Sequence, residues 1–380
     1  MTLTAPDAPD TAALHARGAR PPSGLLRAAF LLPAGLTMLA GLDAALMLLG
    51  LPAPVTTERL PNVHGMLLVF GFVGTLISLE RSVALKRRAG FLAPGLLGAG
   101  GLLLVSPAPL LVGQWIQLLG AAALIGVYVP LWRRQRDDAV LIQAFGAVLA
   151  TGGLALWLGG VSVAHLLPWL VGFIVLTIGG ERLDLARIAL GPTAGRSLLV
   201  LSASVVAGIV SSLLWPIVGY PLLGLTILAL VGWLAAHDIA RVTIKTTGLT
   251  RFMAGNMLAG YFWLAIAGGT WALGGAAYAG GRYDVVIHAV FLGFTISMIM
   301  AHAPVILPAV LRRPLPYHPV LLAPALLLHL SLALRLWGGD ALGISAAWQA
   351  GGVLNIVSLL GFFTLAAWAA IRKHPARAAR

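Results

Sequence analysis

Apolar residues run almost unbroken through twelve stretches of this chain, roughly 27–51, 63–85, 91–109, 111–132, 139–160, 162–180, 197–215, 218–240, 252–275, 284–311, 319–338 and 346–371. A helix needs ~20 apolar residues to cross the hydrocarbon of a bilayer, and these stretches meet that length. Lipid-facing barrel strands would alternate polar and apolar residues, which these runs do not. The expected fold class is therefore all-α, a polytopic membrane protein of about twelve transmembrane helices. With 59% hydrophobic and only 10% charged residues, the chain carries more apolar length than a water-soluble core could bury. Residues 1–25, rich in Pro, Ala and mixed charge, read as a flexible cytoplasmic tail. They lack the order of a cleavable signal, because Arg17, Arg20 and Arg27 precede a full-length first span. Residues 26–372 then form a single transmembrane domain, and 373–380 a second short tail.

The net charge of +13 would suggest nucleic acid in a soluble protein. Its distribution points elsewhere. Of the 25 Lys and Arg, all but Arg59, Arg282 and Arg335 fall on one side of the twelve-span arrangement. This is the positive-inside pattern, which places both termini in the cytoplasm. The lipid bilayer is the expected partner, and nucleic acid is excluded. The chain has no cysteine, which excludes disulfides, thiolate metal sites and haem attached through Cys.

Within this frame one motif occurs twice. His64, Gly71-Phe72 and Glu80-Arg81 share their spacing with His165, Gly172-Phe173 and Glu181-Arg182, both reading H-x6-G-F-x7-E-R. A looser third copy begins at His288 with Gly293-Phe294. The bearers are spans 2, 6 and 10, all running inward, so the three histidines share an outer level. Four spans separate each bearer from the next. Three four-helix repeats follow, roughly 26–132, 139–240 and 252–371.

An intramembrane histidine is costly without a partner, and imidazoles on facing helices of a bundle can hold the two faces of a haem. His64 and His288 are the candidate haem or metal ligands, with His165 a further metal position. The alternative for each is a hydrogen bond to a neighbouring carbonyl. Gly71 and Gly172 lie about two turns along from their histidines on one helical face. They would admit a flat macrocycle or, equally, a packed helix. His302 follows His288 by fourteen residues, about 21 Å along the axis, too far to share a ligand atom. Its depth matches that of His329 on the next span. With Met298 nearby the pair outlines a second, copper-type site, unless Pro304 and Pro308 free carbonyls that satisfy His302. His15, His237, His318 and His374 fall in tails or helix ends and read as solvated.

Asp43 lies in the first span near the level of His64 and could orient a ligand imidazole through its second nitrogen. Arg59, Arg282 and Arg335 could meet haem propionates or simply snorkel. Glu80-Arg81 and Glu181-Arg182 read as structural ion pairs at inner helix ends. A transporter or metal carrier is the competing class, with Asp43, Gln114, Gln117, Asn256 and Asn355 lining a path. A cofactor-free assembly protein is a third.

Twelve spans in a pseudo-threefold of four-helix units, with outer histidines on spans 2, 6 and 10, resemble subunit I of the haem-copper oxidase superfamily. H-G-M-L-L-V-F-G-F at 64–72 and H-A-V-F-L-G-F-T at 288–295 are also similar to the NnrS family of haem- and copper-containing membrane proteins linked to nitric oxide. The resemblance implies His64 and His288 as axial ligands of a b-type haem near the outer face, and His165 in the span-6 metal position. Together with the charge pattern it implies a bacterial-type inner membrane, and it further implies redox or nitric-oxide-related chemistry, with an electron donor or a small diatomic as partner. The departures are specific. Span 7 has no histidine, span 10 has no H-x-H, and span 6 lacks an acidic residue soon after its histidine. A complete copper centre of the terminal-oxidase kind is therefore not implied.

Overall fold

The structure, a computed structural model, describes residues 24–190, 192–311 and 317–371. The tails, with His15, His374 and the pair Arg312-Arg313, lie outside these residues. Among the described residues there is no strand, and twelve helices are long and apolar enough to cross a membrane. They are α1 (Leu31–Leu48), α2 (Arg59–Leu85), α3 (Arg88–Val105), α4 (Leu110–Gln135), α5 (Asp138–Leu158) and α6 (Val163–Leu185), then α7 (Thr193–Leu214), α8 (Pro216–His237), α9 (Gly248–Gly274), α10 (Gly280–Pro308), α11 (Pro319–Ala341) and α12 (Ser345–Ala369). The protein is a multi-pass membrane protein.

Local chemistry sets the helix ends. The Asp137 side chain accepts from the Ala139 N–H at 3.0 Å and so caps α5. Lys86 and Arg136 take left-handed backbone angles, φ 60° and 51°, and close α2 and α4. α6 continues as a helix to Leu190, so Glu181 and Arg182 lie inside it and not at its end, as the hydropathy had suggested.

The three histidine-bearing helices form the centre. Burial reaches 72, 78 and 67% over the most apolar stretches of α2, α6 and α10, against at most 56% elsewhere. Phe70 of α2 stacks on Phe173 of α6 with centroids 5.6 Å apart and planes at 11°. Arg81 of α2 reaches Glu181 of α6, and Arg182 of α6 reaches His302 of α10.

Two of the central helices are not regular. α2 widens into a π-helix over Leu67–Gly74 and α10 does so over Ala289–Ile296, each just past its histidine. Threonine hydroxyls match this wider winding: Thr75 donates to the Phe70 carbonyl at 3.4 Å and Thr295 to Val290 at 2.9 Å, both five residues back. In α6, Thr177 bonds Phe173 four residues back, and the helix stays α. Wide turns of this kind concentrate at functional sites, and here they follow His64 and His288 but not His165. A third π segment, Leu334–Ala341, ends α11 and carries Arg335.

Candidate functional site

Two imidazoles, on α2 and α10, lie within electrostatic range of each other. Nδ1 of His64 lies 2.8 Å from the Gly41 carbonyl of α1. Nδ1 of His288 faces the Asp284 carbonyl at 3.0 Å and the Asp284 carboxylate at 3.1 Å. The Gly41 carbonyl on one ring and the Asp284 carbonyl and carboxylate on the other can only accept, so Nδ1 carries the hydrogen and the Nε2 lone pair remains available in both. That is the state in which histidine ligates a metal, with the far nitrogen anchored to a carbonyl or carboxylate. His64 lies within electrostatic range of His288, Asp284 and Arg335, so the four groups form one cluster.

Arg335 completes it. Its Nε and NH2 each donate to an oxygen of Asp284 at 2.8 Å, a two-pronged pair with both side chains largely buried. Its guanidinium lies 5.0 Å from the centre of the Trp348 ring, and the Trp348 indole also donates to Asp284 at 3.3 Å. The backbone of α12 comes close here: a Cβ on Gly351 would lie 2.7 Å from the Arg335 backbone. Asp284 was the residue the sequence reading missed. Its signal was present as D-x3-H, four residues before His288 and hence on the same helix face.

Other candidates are occupied elsewhere. Asp43 accepts from the Val55 N–H at 3.1 Å and so ties down the α1–α2 loop; the imidazole of His64 is oriented by Gly41, two residues earlier. Arg59 donates to the carbonyls of Ser106 and Ala108 at 2.6 and 2.7 Å, joining the start of α2 to the α3–α4 loop. Arg282, exposed, donates to the Gly274 carbonyl at the end of α9. Of the three isolated arginines, the fold brings only Arg335 to the histidine pair.

His165 is exposed, bonded to the Ser162 hydroxyl at 2.8 Å and stacked on Tyr278 with centroids 4.1 Å apart. Among the described residues no group of three or more His, Cys, Asp or Glu is arranged to hold a metal ion. The shared level of three histidines thus resolves into a pair and a separate ring.

His302 and His329 do not form the second site that their depths suggested. Nδ1 of His302 faces the Met298 carbonyl at 2.7 Å, while Arg182 NH1 points at Nε2 from 3.0 Å and takes its lone pair. His329 receives the Trp263 indole N–H on Nδ1 at 3.1 Å, which leaves its hydrogen on Nε2. Neither ring has a lone pair left for copper. The Pro-freed carbonyl offered as the alternative is likewise not the partner. Arg182 belongs to a buried network: it holds Asp238 at 2.8 and 3.1 Å, and the Tyr261 hydroxyl donates to the same carboxylate at 2.6 Å. Burial alone would push the Asp238 carboxyl up, but Arg182, Tyr261 and the Ala240 N–H together hold it below the usual carboxylate range.

The glycines of the motif serve packing. A Cβ on Gly71 would lie 2.9 Å from Thr37 of α1, while on Gly172 it would meet Ile209, and on Gly293 Trp263. The two Glu-Arg pairs also diverge. Arg81 pairs with Glu80 and lies 3.5 Å from Glu181, whereas Arg182 turns to Asp238 and His302. Arg81 thus links α2 to α6, and Arg182 links α6 to α10.

A family model described as a domain of unknown function, DUF8744, matches residues 27–371. The chain belongs to the DUF8744 family. No curated protein matches it, and no solved structure does. The DUF8744 match takes in all twelve spans, and with them His64, His288 and both Glu-Arg pairs.

Proposed function

We propose that this DUF8744 protein is a haem-binding protein of a bacterial-type inner membrane, with a b-type haem held between His64 and His288. The observation that supports this is the pair of anchored imidazoles, each with Nδ1 committed to an acceptor and Nε2 left open. The donor set fits the group: two neutral nitrogens on separate central helices suit an iron porphyrin better than a hard cation, which wants oxygen ligands. A haem bound there supplies one-electron redox chemistry or, with one ligand position open, affinity for a small diatomic such as nitric oxide. The protein's part is to fix ligand orientation. Gly41 and Asp284 set the two rings, and Arg335 holds Asp284 in place while keeping a positive charge beside the site. The Lys and Arg asymmetry supports the histidine end as the outer one, with both termini cytoplasmic.

The carrier reading has less support, because its polar residues do not share a path. Gln117 packs against Gly100 at the α3–α4 contact, Asn256 bonds Phe252 within α9, and Asn355 accepts from Ser331 of α11. The deciding experiment is an absorption spectrum of protein purified from haem-replete cells. A Soret band and a sharp reduced α band are expected, lost or converted by His64→Ala and His288→Ala and unchanged by His237→Ala at an exposed helix end. Colourless protein overturns the reading.

A further inference from the structure

Away from the histidine pair, α1, α2, α6, α10 and α12 wall a cavity of about 610 Å³ that neither His64 nor His288 lines. Apart from Glu80, Glu181, Thr295 and His302 its lining is apolar, and it includes Phe72 and Phe363, whose rings meet edge to face with centroids 5.6 Å apart. Among the described residues no lysine or arginine lines it.

The charges at its polar end do not balance. Arg81 pairs with Glu80 through NH2, lies 3.5 Å from Glu181, and donates through NH1 to Gln143 at 3.2 Å. One guanidinium is thus shared by two carboxylates. The next cation along the chain, Arg182, is matched by Asp238 through two bonds at 2.8 and 3.1 Å. Its NH1 also occupies Nε2 of His302, whose Nδ1 donates to the Met298 carbonyl, so that ring stays uncharged. Thr295 donates to its own helix. The two carboxylates therefore leave one negative charge in excess, between apolar walls where an unmatched charge is costly.

The walls limit what can match it. A small metal ion needs several oxygen ligands, and among the described residues no group of three or more His, Cys, Asp or Glu is so arranged. An anionic lipid is repelled, and a neutral one leaves the charge unmatched. An organic cation with apolar arms satisfies both halves of the cavity, because the arms meet the aliphatic lining while the charge meets the carboxylates and the aromatic rings.

We propose that this cavity binds a lipophilic monovalent organic cation, its charge set against Glu80 and Glu181 and its apolar groups against Phe72 and Phe363. The site is separate from the histidine pair and does not depend on a haem there. Radiolabelled tetraphenylphosphonium is titrated into the full-length protein in lipid nanodiscs, with empty nanodiscs correcting for partition and His64→Ala protein run in parallel. Saturable binding at one site is expected in both proteins. Tetraphenylborate, of the same shape and opposite charge, shows no uptake above that of empty nanodiscs. Glu80→Gln and Glu181→Gln each leave Arg81 a single carboxylate to match, so each weakens tetraphenylphosphonium binding about tenfold or more. Ala303 is buried and lines the cavity, and Ala303→Phe fills it and abolishes binding; Ala323→Phe, at an exposed position of α11, leaves binding intact. Tetraphenylphosphonium uptake no greater than in empty nanodiscs would assign the extra charge to a proton and overturns the proposal. So does equal binding of tetraphenylborate, or binding unchanged in both glutamine variants.

Discussion

Nδ1 of His288 lies 3.1 Å from the carboxylate of Asp284, one helical turn earlier on α10. Two donors of Arg335 grip that carboxylate from α11, so a ligand imidazole on one helix is oriented through a pair that spans two. The same carboxylate is the hinge of the cluster's stability and of its proposed chemistry, and the two can be separated by substitution.

Asp284→Asn keeps the shape but removes the charge behind the imidazole. Haem affinity, measured by titrating haem into protein stripped of it, is expected to fall about 10- to 100-fold. An unchanged affinity would mean that Asp284 serves packing alone.

Arg335→Ala leaves Asp284 in a largely buried site without its counter-charge. The expected loss is about 3–5 kcal/mol, read as a lowered midpoint of thermal unfolding in detergent. Arg335→Lys should recover only part of it, since an ammonium cannot reproduce the two parallel bonds.

His165→Ala removes an exposed ring whose contacts are Ser162 and Tyr278. The low-spin absorption and magnetic-resonance signals expected of the His64–His288 site should be unaltered. A changed signal would bring His165 back into the cofactor environment.

Gly71→Ala places a methyl 2.9 Å from Thr37 and should destabilise by about 1–3 kcal/mol. Gly35→Ala, with open space around its new Cβ, should be neutral or stabilising by up to about 1 kcal/mol through helix propensity. Unfolding midpoints of the two variants, compared side by side, test whether the motif glycine is a packing residue.

Asp238 titrates lower in the folded protein than in the unfolded chain, because Arg182, Tyr261 and the Ala240 N–H favour its charged form. Its contribution to stability is then fully present above the unfolded value, near pH 4, and is lost as pH falls through the folded one. Arg182→Met should lower stability at neutral pH and flatten this acid-side loss. Unfolding measured from pH 7 down to pH 3 checks both.

Helix number and the positions of the spans were legible in the sequence, because crossing a bilayer demands long apolar runs whatever the surroundings; that the three histidine-bearing helices are the central ones was not. His64 and His288 were legible as rings that need a partner, since a polar ring within such a run is costly without one. Their partners were not. Gly41 is a backbone carbonyl 23 residues from His64, and Arg335 lies 51 residues beyond Asp284, so no local pattern names them. His302 and His329 had matching depths but face different neighbours, since depth along an axis says nothing about rotation around it.

By itself, then, the sequence determined a twelve-helix membrane bundle with its histidines, glycines and Glu-Arg pairs at repeating levels, because hydropathy and spacing act along one helix at a time. Only the tertiary structure decided which nitrogens keep a lone pair, which arginine joins the histidines, and that Glu80 and Glu181 border one cavity. Those outcomes depend on how helices turn towards one another, and the π segments after His64 and His288 change that rotation in a way that heptad counting does not follow.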